Sequence, residues 1–301
     1  KEVKLKGWPF DATTAKAMLS KEVETQKSIE LAPGIRMNFV RIPAGSFVMG
    51  SNRGHSDYSP VSKQVVKKAF WMGEIEVSNE QFRTIFPDHN SRFIGQLWKD
   101  HVHEGYPANN LEQPAIRVSW QEAMDFCKKL SEKTGLNVTL PTEVQWEWAC
   151  RAGSADDFWY GSLNADFAKF ENLADAQLNK AAVRGVNPQP MSPKDGWYKY
   201  YTYQPKENGV DDGNMLMVKG GSYQANPWGL YDMQGNVAEW TRSDYMPYPY
   251  NEKTQDGTGT EKVARGGSWT EHPKTCTSYY RKAYLPWQKV YNVGFRVIIE
   301  D

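Results

Sequence analysis

At 301 residues the chain can hold one large domain or two smaller ones. Its 36 Lys and Arg balance 36 Asp and Glu, which excludes a nucleic acid or an anionic membrane bound by bulk electrostatics, and no apolar run approaches the roughly 20 residues of a membrane span. Only Cys127, Cys150 and Cys276 carry thiols, an odd, low number that is no disulfide framework. The 12 Trp and 16 Tyr suit a fold rich in irregular structure, where ring N–H and O–H groups find partners, and equally a carbohydrate- or peptide-binding surface. The sequence opens on Lys1 rather than Met, as it would after removal of a leader.

In chain order, residues 1–34 read as an N-terminal extension lying on the surface of one domain, residues 35–301, with a short amphipathic helix over 12–19. Segments 29–31 and 37–42 alternate like strands across a Pro33-Gly34 turn, so a hairpin is expected. Residues 43–45 break that pattern before a further extended piece, 46–50, and 65–72 is another strand candidate. Ser78 is an N-cap, with Gln81 completing a capping box for a helix that reaches Ile85 and Phe86. Residues 87–113 form a long loop carrying His89, His101 and His103, which are expected to be solvated rather than metal-bound. Ser119 caps a helix over 120–133, with Ala123, Met124, Phe126, Cys127 and Leu130 on its buried face and Gly135 as its stop. Thr142 and Gln145 repeat the capping box for a helix over 143–151, ended by Gly153.

From 154 to 226 the text is loop-like, and its oxygen-rich pieces, 170–175 and 211–214, are explained by Asx turns. Residues 241–262 form another loop. Residues 263–269 enter a strand whose glycines allow close backbone approach, and 294–299 is a closing strand. No repeat is present. Short strands around two main helices indicate an α+β fold.

The most specific stretch is Gly229-Leu230-Tyr231-Asp232-Met233-Gln234-Gly235-Asn236-Val237-Ala238-Glu239-Trp240. Asp232 and Glu239 are hard anionic oxygens separated by residues that can turn the backbone, with Gly235 and Asn236 suited to positive φ. Two carboxylates with carbonyls folded between them match the roughly 6–8 oxygen ligands of Ca²⁺. A buried turn whose carboxylates cap backbone amides explains the same spacing.

This stretch resembles the signature of the formylglycine-generating enzyme (sulfatase-modifying factor) family. Further blocks follow in that family's order: Ile42 to Gly50, Leu140 to Glu143 with Trp146 to Arg151, Arg265-Gly266-Gly267-Ser268-Trp269, and Asn292-Val293-Gly294-Phe295-Arg296. The resemblance implies a C-type-lectin-like variant low in regular structure and an extracytoplasmic location, since many relatives are exported bacterial proteins. It implies one Ca²⁺ site from Asn172, Leu173, Asp212 and Asn214, and a second from Asp232, Gly235, Val237 and Glu239, with Gly235 and Val237 contributing backbone oxygens. Bound calcium would offset the ordering entropy of so long a loop, on the order of 1–2 kcal/mol per residue. Family enzymes oxidise a sulfatase cysteine to formylglycine with O₂, using Cu(I) held between two thiolates spaced Cys-x-x-x-x-Cys. Ser268 matches a serine beside the oxidation site, and Asn292 matches an asparagine that holds substrate peptide.

The chain departs from that pattern at the copper site. Cys276 stands at the second cysteine, but Glu271 stands at the first, and a hard carboxylate is a poor Cu(I) donor. Glu271, His272 and Cys276 could form a mixed site for zinc or iron, against the simpler reading of a surface turn. Cys276 as a lone nucleophile needs a lowered pKa from Lys274, Arg281 or His272. Two readings follow: an oxidase of the family kind, acting on a sulfatase or another substrate as some relatives without the cysteine pair do in natural-product maturation, or a non-catalytic, calcium-stabilised module that binds peptide or glycan. Iron-dependent sulfoxide synthases are disfavoured, because they carry an additional N-terminal helical domain that residues 1–35 are too short to supply.

Overall fold

The structure is a computed structural model that describes residues 3–53, 55–94, 105–177, 210–255, 257 and 259–301. Helix α1 (Ala12–Leu19) is followed by β1 (Gln26–Ala32), β2 (Ile35–Ile42), β3 (Gly45–Met49), β4 (Ser62–Val66), β5 (Phe70–Gly73), α2 (Asn79–Arg83), β6 (Phe93–Ile94) and β7 (Tyr106–Pro107). Then come α3 (Trp120–Thr134), β8 (Asn137–Thr139), α4 (Glu143–Arg151), β9 (Ala238–Asp244), β10 (Lys262–Arg265), β11 (Arg281–Tyr284), β12 (Val293–Gly294) and β13 (Ile298–Glu300). Among the described residues no strand or α-helix falls between α4 and β9. No helix among them is long and apolar enough to cross a membrane.

Two sheets organise the chain. One has the order β1-β2-β5-β13-β8 and the other β11-β10-β9-β12, with β3-β4 and β6-β7 as separate pairs. The five-stranded sheet is buried on both faces. Val40, Ile42, Phe70, Met72 and Ile298 face a core with α4, the β3-β4 pair and Trp228. Met37, Phe39, Trp71 and Ile299 face a second core with α3 and Trp240. There Phe82, Phe126 and Phe295 pack ring on ring, with centroids 5.4–5.7 Å apart, a geometry that adds to the apolar burial of each ring.

The capping residues read from sequence act as caps. The Oγ atoms of Ser78, Ser119 and Thr142 accept from the backbone N–H three residues on, and the Gln81, Glu122 and Gln145 side chains return the bond. Gly135 closes α3 in the left-handed region, whereas α4 closes on Ala152, also left-handed, one residue before Gly153. Helix α1 has the expected bounds. Ala15 is fully buried and its carbonyl accepts from Trp228 Nε1 at 3.1 Å, with Trp8 and Phe10 on the same core. The hairpin β1-β2 straddles residue 34, so the sheet begins with Gln26.

Four segments differ from what the sequence predicts. Residues 65–72 are not one strand: the chain leaves the β3-β4 pair after Val66 and joins the large sheet at Phe70, and the exposed Lys67 and Lys68 make the link. Residues 294–299 likewise divide between β12, parallel to β9, and β13, between β5 and β8, with Arg296 at the crossing. Strand β9 runs to Asp244 into the expected 241–262 loop. Its polar side chains are buried because each is paired: Thr241 Oγ1 donates to Val263 O at 3.1 Å, and Asp244 pairs with Lys262. The 87–113 loop contains the short β6-β7 pair.

Helix α4 is tied to β10 and β11 by ions rather than oil. The fully buried Arg265 meets Glu143 at 3.0 Å and Glu147 at 2.5 Å, and also donates to Ser278 O and Tyr279 O. Arg281 pairs with Glu143 at 2.6 Å, and Arg151 with Glu147 at 2.8 Å. Removing one member of such a network strands a buried charge. Arg265→Met is therefore expected to lower unfolding free energy by about 3–5 kcal/mol in urea titrations, and a loss under about 1 kcal/mol would contradict the role given to this network.

Candidate functional site

The stretch 229–240 lies buried where three otherwise irregular segments meet. Gly229, Asp232, Gly235 and Asn236 all take positive φ, so the bend needs residues that tolerate the left-handed region. Gly235 has no alternative: a Cβ there would lie 2.4 Å from Asn172 O and 2.6 Å from Leu173 Cδ2. The bend is stitched to 172–173 by Asn236 N–H donating to Asn172 O at 2.8 Å, and to the Gly266 loop by Gly235 N–H donating to Gly266 O at 2.9 Å. Gln234 Nε2 donates to Asp157 O, Cys276 O and Ser278 Oγ at 3.2–3.3 Å.

The residues expected at a first Ca²⁺ site do come to lie along two adjacent segments. Asn172 Nδ2 donates to Leu216 O at 2.8 Å, Asp212 N–H to Asp175 Oδ2 at 2.6 Å, and Ala176 N–H to Val210 O at 3.0 Å, so 172–176 runs beside 210–216. Leu173 is buried, and Asn172 Oδ1 is buried without a partner. Asp212 is engaged within the protein: Oδ1 accepts from Asn214 N–H at 2.7 Å and Oδ2 from Tyr223 OH at 2.6 Å. Burial pushes its carboxyl up to about 7 against those bonds. Asp175, at the end of the oxygen-rich piece 170–175, places a further carboxylate beside it.

The second expected set is more divided. Asp232 is buried, with Oδ2 accepting from Gly221 N–H at 2.7 Å and Oδ1 unpartnered. Burial raises its carboxyl to about 6, opposed by the Gly221 bond and by Arg296. Glu239 has no oxygen to spare. Arg296 Nε reaches both of its oxygens at 2.8 Å, Arg296 Nη2 reaches Oε1 at 2.6 Å, and Trp146 Nε1 donates to Oε2 at 2.7 Å. Val237 is fully buried in the bend beside Glu239. Two further buried acids, Glu76 and Glu171, stand nearby. Both carboxyls are raised, by burial first and then by the Asp232 charge. Among the described residues no three His, Cys, Asp or Glu side chains converge as a metal cluster.

Ser268 and Asn292 are brought together: Asn292 Nδ2 donates to Ser268 Oγ at 2.8 Å, both residues being buried. Cys276 lies on the far side of Gly267, where an added Cβ would fall 2.3 Å from its Sγ. Its thiol contacts Glu271 O at 3.7 Å and Ser268 O at 4.0 Å, and it packs with Phe158, Phe167 and Leu173. The lowered pKa required of a lone nucleophile is not found. Burial pushes the Cys276 thiol up to about 12, and the cations proposed to lower it are turned elsewhere. Arg281 is bonded to Glu143, Lys274 is exposed, and His272 Nδ1 accepts from Lys274 N–H at 3.2 Å. Glu271 is ion-paired with Lys282. Among the described residues Glu271, His272 and Cys276 are not drawn together as a metal-holding cluster.

The other thiols are core groups: Cys127 packs in the α3 core, and Cys150 Sγ lies 3.8 Å from Ser278 Oγ. The residues present do not fit the two-thiolate Cu(I) site, because Cys276 has no sulfur opposite it. His89 is not solvated as expected. Its ring stands edge-on to Phe82 at 4.7 Å, Nε2 is 3.1 Å from Ser91 Oγ, and burial lowers its pKa to about 4. His101 and His103 lie outside the described residues.

The family description "Sulfatase-modifying factor enzyme 1-like domain" matches residues 26–301. The chain belongs to the formylglycine-generating enzyme family. It is 24% identical to the mouse formylglycine-generating enzyme over 305 aligned positions, covering 85% of this chain and 73% of that protein. It is 27% identical to the cattle "Inactive C-alpha-formylglycine-generating enzyme 2" over 284, covering 81% and 80%. The fold matches PvdO of Pseudomonas aeruginosa with a TM-score of 0.67 at 22% identity, over 93% of this chain and all of that one. Treponema denticola variable protein 1 matches with a TM-score of 0.63 at 20% identity, over the same shares.

In this family member a Cys276 pKa near 12 leaves about one thiol in ten thousand ionised at pH 8. Alkylation of Cys276 by iodoacetamide in the folded protein is expected to be slower than in urea by roughly three orders of magnitude, read by peptide mass mapping. Native labelling at the unfolded rate would contradict the burial argument.

Proposed function

We propose that this chain is a calcium-stabilised recognition member of the family, one that holds a peptide or glycan near Ser268 and Asn292 and does not oxidise a sulfatase cysteine through copper. The observation that carries this reading is the Glu271–Lys282 ion pair, at the position where a copper-binding relative would place its first thiolate. A carboxylate is a hard oxygen donor and does not supply the second soft sulfur that Cu(I) prefers. The name of the cattle relative, an inactive enzyme aligned over 81% of this chain, supports the same reading. Calcium is supported by the unpartnered Asn172 Oδ1 and Asp232 Oδ1, hard oxygens buried in segments that have little regular structure of their own.

The test is incubation of the full chain with Cu(I), O₂ and a Cys-x-Pro-x-Arg sulfatase peptide, followed by mass spectrometry and by a binding measurement on the same peptide and on a glycan array. The expected result is an unchanged peptide mass, with saturable binding of peptide or glycan. Conversion of the peptide thiol to an aldehyde would overturn the proposal and restore the oxidase reading.

A further inference from the structure

A cleft of about 590 Å³ opens between the end of α2 and the first turn of α3, and neither Ser268 nor Asn292 lines it. Its lining is of two kinds. Ile85, Phe86 and Pro87 supply an apolar part, backed by the rings of Phe82 and Phe86, stacked 4.9 Å apart. Arg92, Arg117 and Lys289 supply a cationic part. His89 adds a ring and no charge at neutral pH, because burial lowers its pKa to about 4.

The two arginines are held in place by their own backbone. Arg92 and Arg117 take φ of 59° and 54°, where Cβ crowds the next carbonyl oxygen. Arg92 N–H donates to Asn90 Oδ1 at 2.7 Å, and Arg92 O accepts from Ala108 N–H at 3.1 Å, so its turn is clamped on both sides. Arg117 is buried, and its Nη1 and Nη2 donate to Ser91 O at 2.6 Å and Phe93 O at 3.3 Å, which fixes the direction of the guanidinium. The neighbouring Glu122 is committed: Oε1 meets Lys289 Nζ at 2.5 Å, and Oε2 accepts from Ser119 N–H and Oγ at 2.9–3.0 Å. Asp88 and Arg92 are exposed, and among the described residues neither makes an ion pair. A single exposed arginine needs no explanation. Two arginines on one cleft, each in left-handed backbone, share a constraint that a bound anion accounts for, since strained backbone gathers at ligand clamps.

The size of the cleft and its apolar lining decide the class of anion. A bare inorganic anion would fill little of 590 Å³, a volume within the range of roughly 300–1,000 Å³ found for organic ligands. A planar guanidinium matches the two oxygens of a carboxylate. We propose that this cleft binds an organic carboxylate with an apolar or aromatic body, its charge on the arginine side and its body on Ile85, Phe86 and Pro87. The inference goes beyond the proposed function and depends on neither calcium nor the Ser268–Asn292 pair.

The test uses the full chain and two matched pairs of probes in calorimetric titration. One pair is phenylpropionate and phenylpropanamide; the other is N-acetyl-Gly-Gly-Phe with a free C-terminus and its C-terminal amide. At least one acid is expected to bind with a Kd below about 1 mM, its amide to bind at least about tenfold more weakly, and the acid's affinity to fall with added salt. Binding of phenylpropionate alone points to a small free acid, and binding of the peptide acid as well to a chain terminus; either supports the site. Arg92→Asn keeps a residue that tolerates left-handed backbone and is expected to weaken the acid by at least about fivefold, with a melting temperature within about 2 °C of wild type. The matched pairs need no variant, so they decide the matter even where Arg92→Asn fails to fold. A Kd above about 1 mM for both acids, equal binding of acid and amide, or wild-type affinity in folded Arg92→Asn would overturn the proposal. Inorganic phosphate bound as tightly as phenylpropionate would overturn the part given to the apolar lining.

Discussion

The Arg296–Glu239 pair is the constraint on which the rest of the centre depends. Both residues are fully buried, and the guanidinium meets the carboxylate through two nitrogens at 2.6–2.8 Å. A charge so placed is tolerable only with an opposite charge and with its remaining hydrogen-bonding groups satisfied. Arg296 meets that condition by using its other N–H groups on the carbonyls of 73–74 and 231–232. One side chain thus fixes the crossing between β12 and β13, the end of β5, and the bend that precedes β9.

What the pair does locally, polar side chains do throughout the irregular part of the molecule. Asn236, Gln234 and Asn226 each bond two or more backbone groups from distant segments. Asn226, for example, donates to Ala149 O at 2.8 Å and accepts from Trp228 N–H at 3.0 Å. Asn79 does the same for the carbonyls of Ala108 and Asn110. Such bonds replace the ladders that helices and strands would supply, since buried backbone groups must be paired by some means. A fold built this way positions its site by specific amides and carboxylates, and this explains why its motifs read as fixed words rather than as periodic patterns.

That difference marks what was legible in the sequence. Caps and amphipathic periods are local, so α1 and the capping residues of α2, α3 and α4 could be read directly. The Gly-Leu-Tyr-Asp motif announced a bend at Gly235 and Asn236 because positive φ restricts residue choice. Strand β9 was hidden because Thr241, Ser243 and Asp244 look solvent-exposed until their partners across the chain are known. The divisions at 67–69 and at Arg296 were hidden for a similar reason, since a change of sheet leaves no period of its own. At the site, the sequence located Asp232 and the Ser268–Asn292 pair, but spacing alone could not reveal that Glu239 belongs to Arg296, that Cys276 is a core thiol, or that Glu76, just after β5, accepts from Asn236 Nδ2.

Glu239 works as the counter-ion of Arg296. The direct measurement is a double-mutant cycle by urea unfolding in excess chelator, using Glu239→Gln, Arg296→Met and the double variant. Strong coupling is expected, with each single change costly and the pair of changes less than additive by about 2–3 kcal/mol. Additivity to within about 0.5 kcal/mol would contradict it.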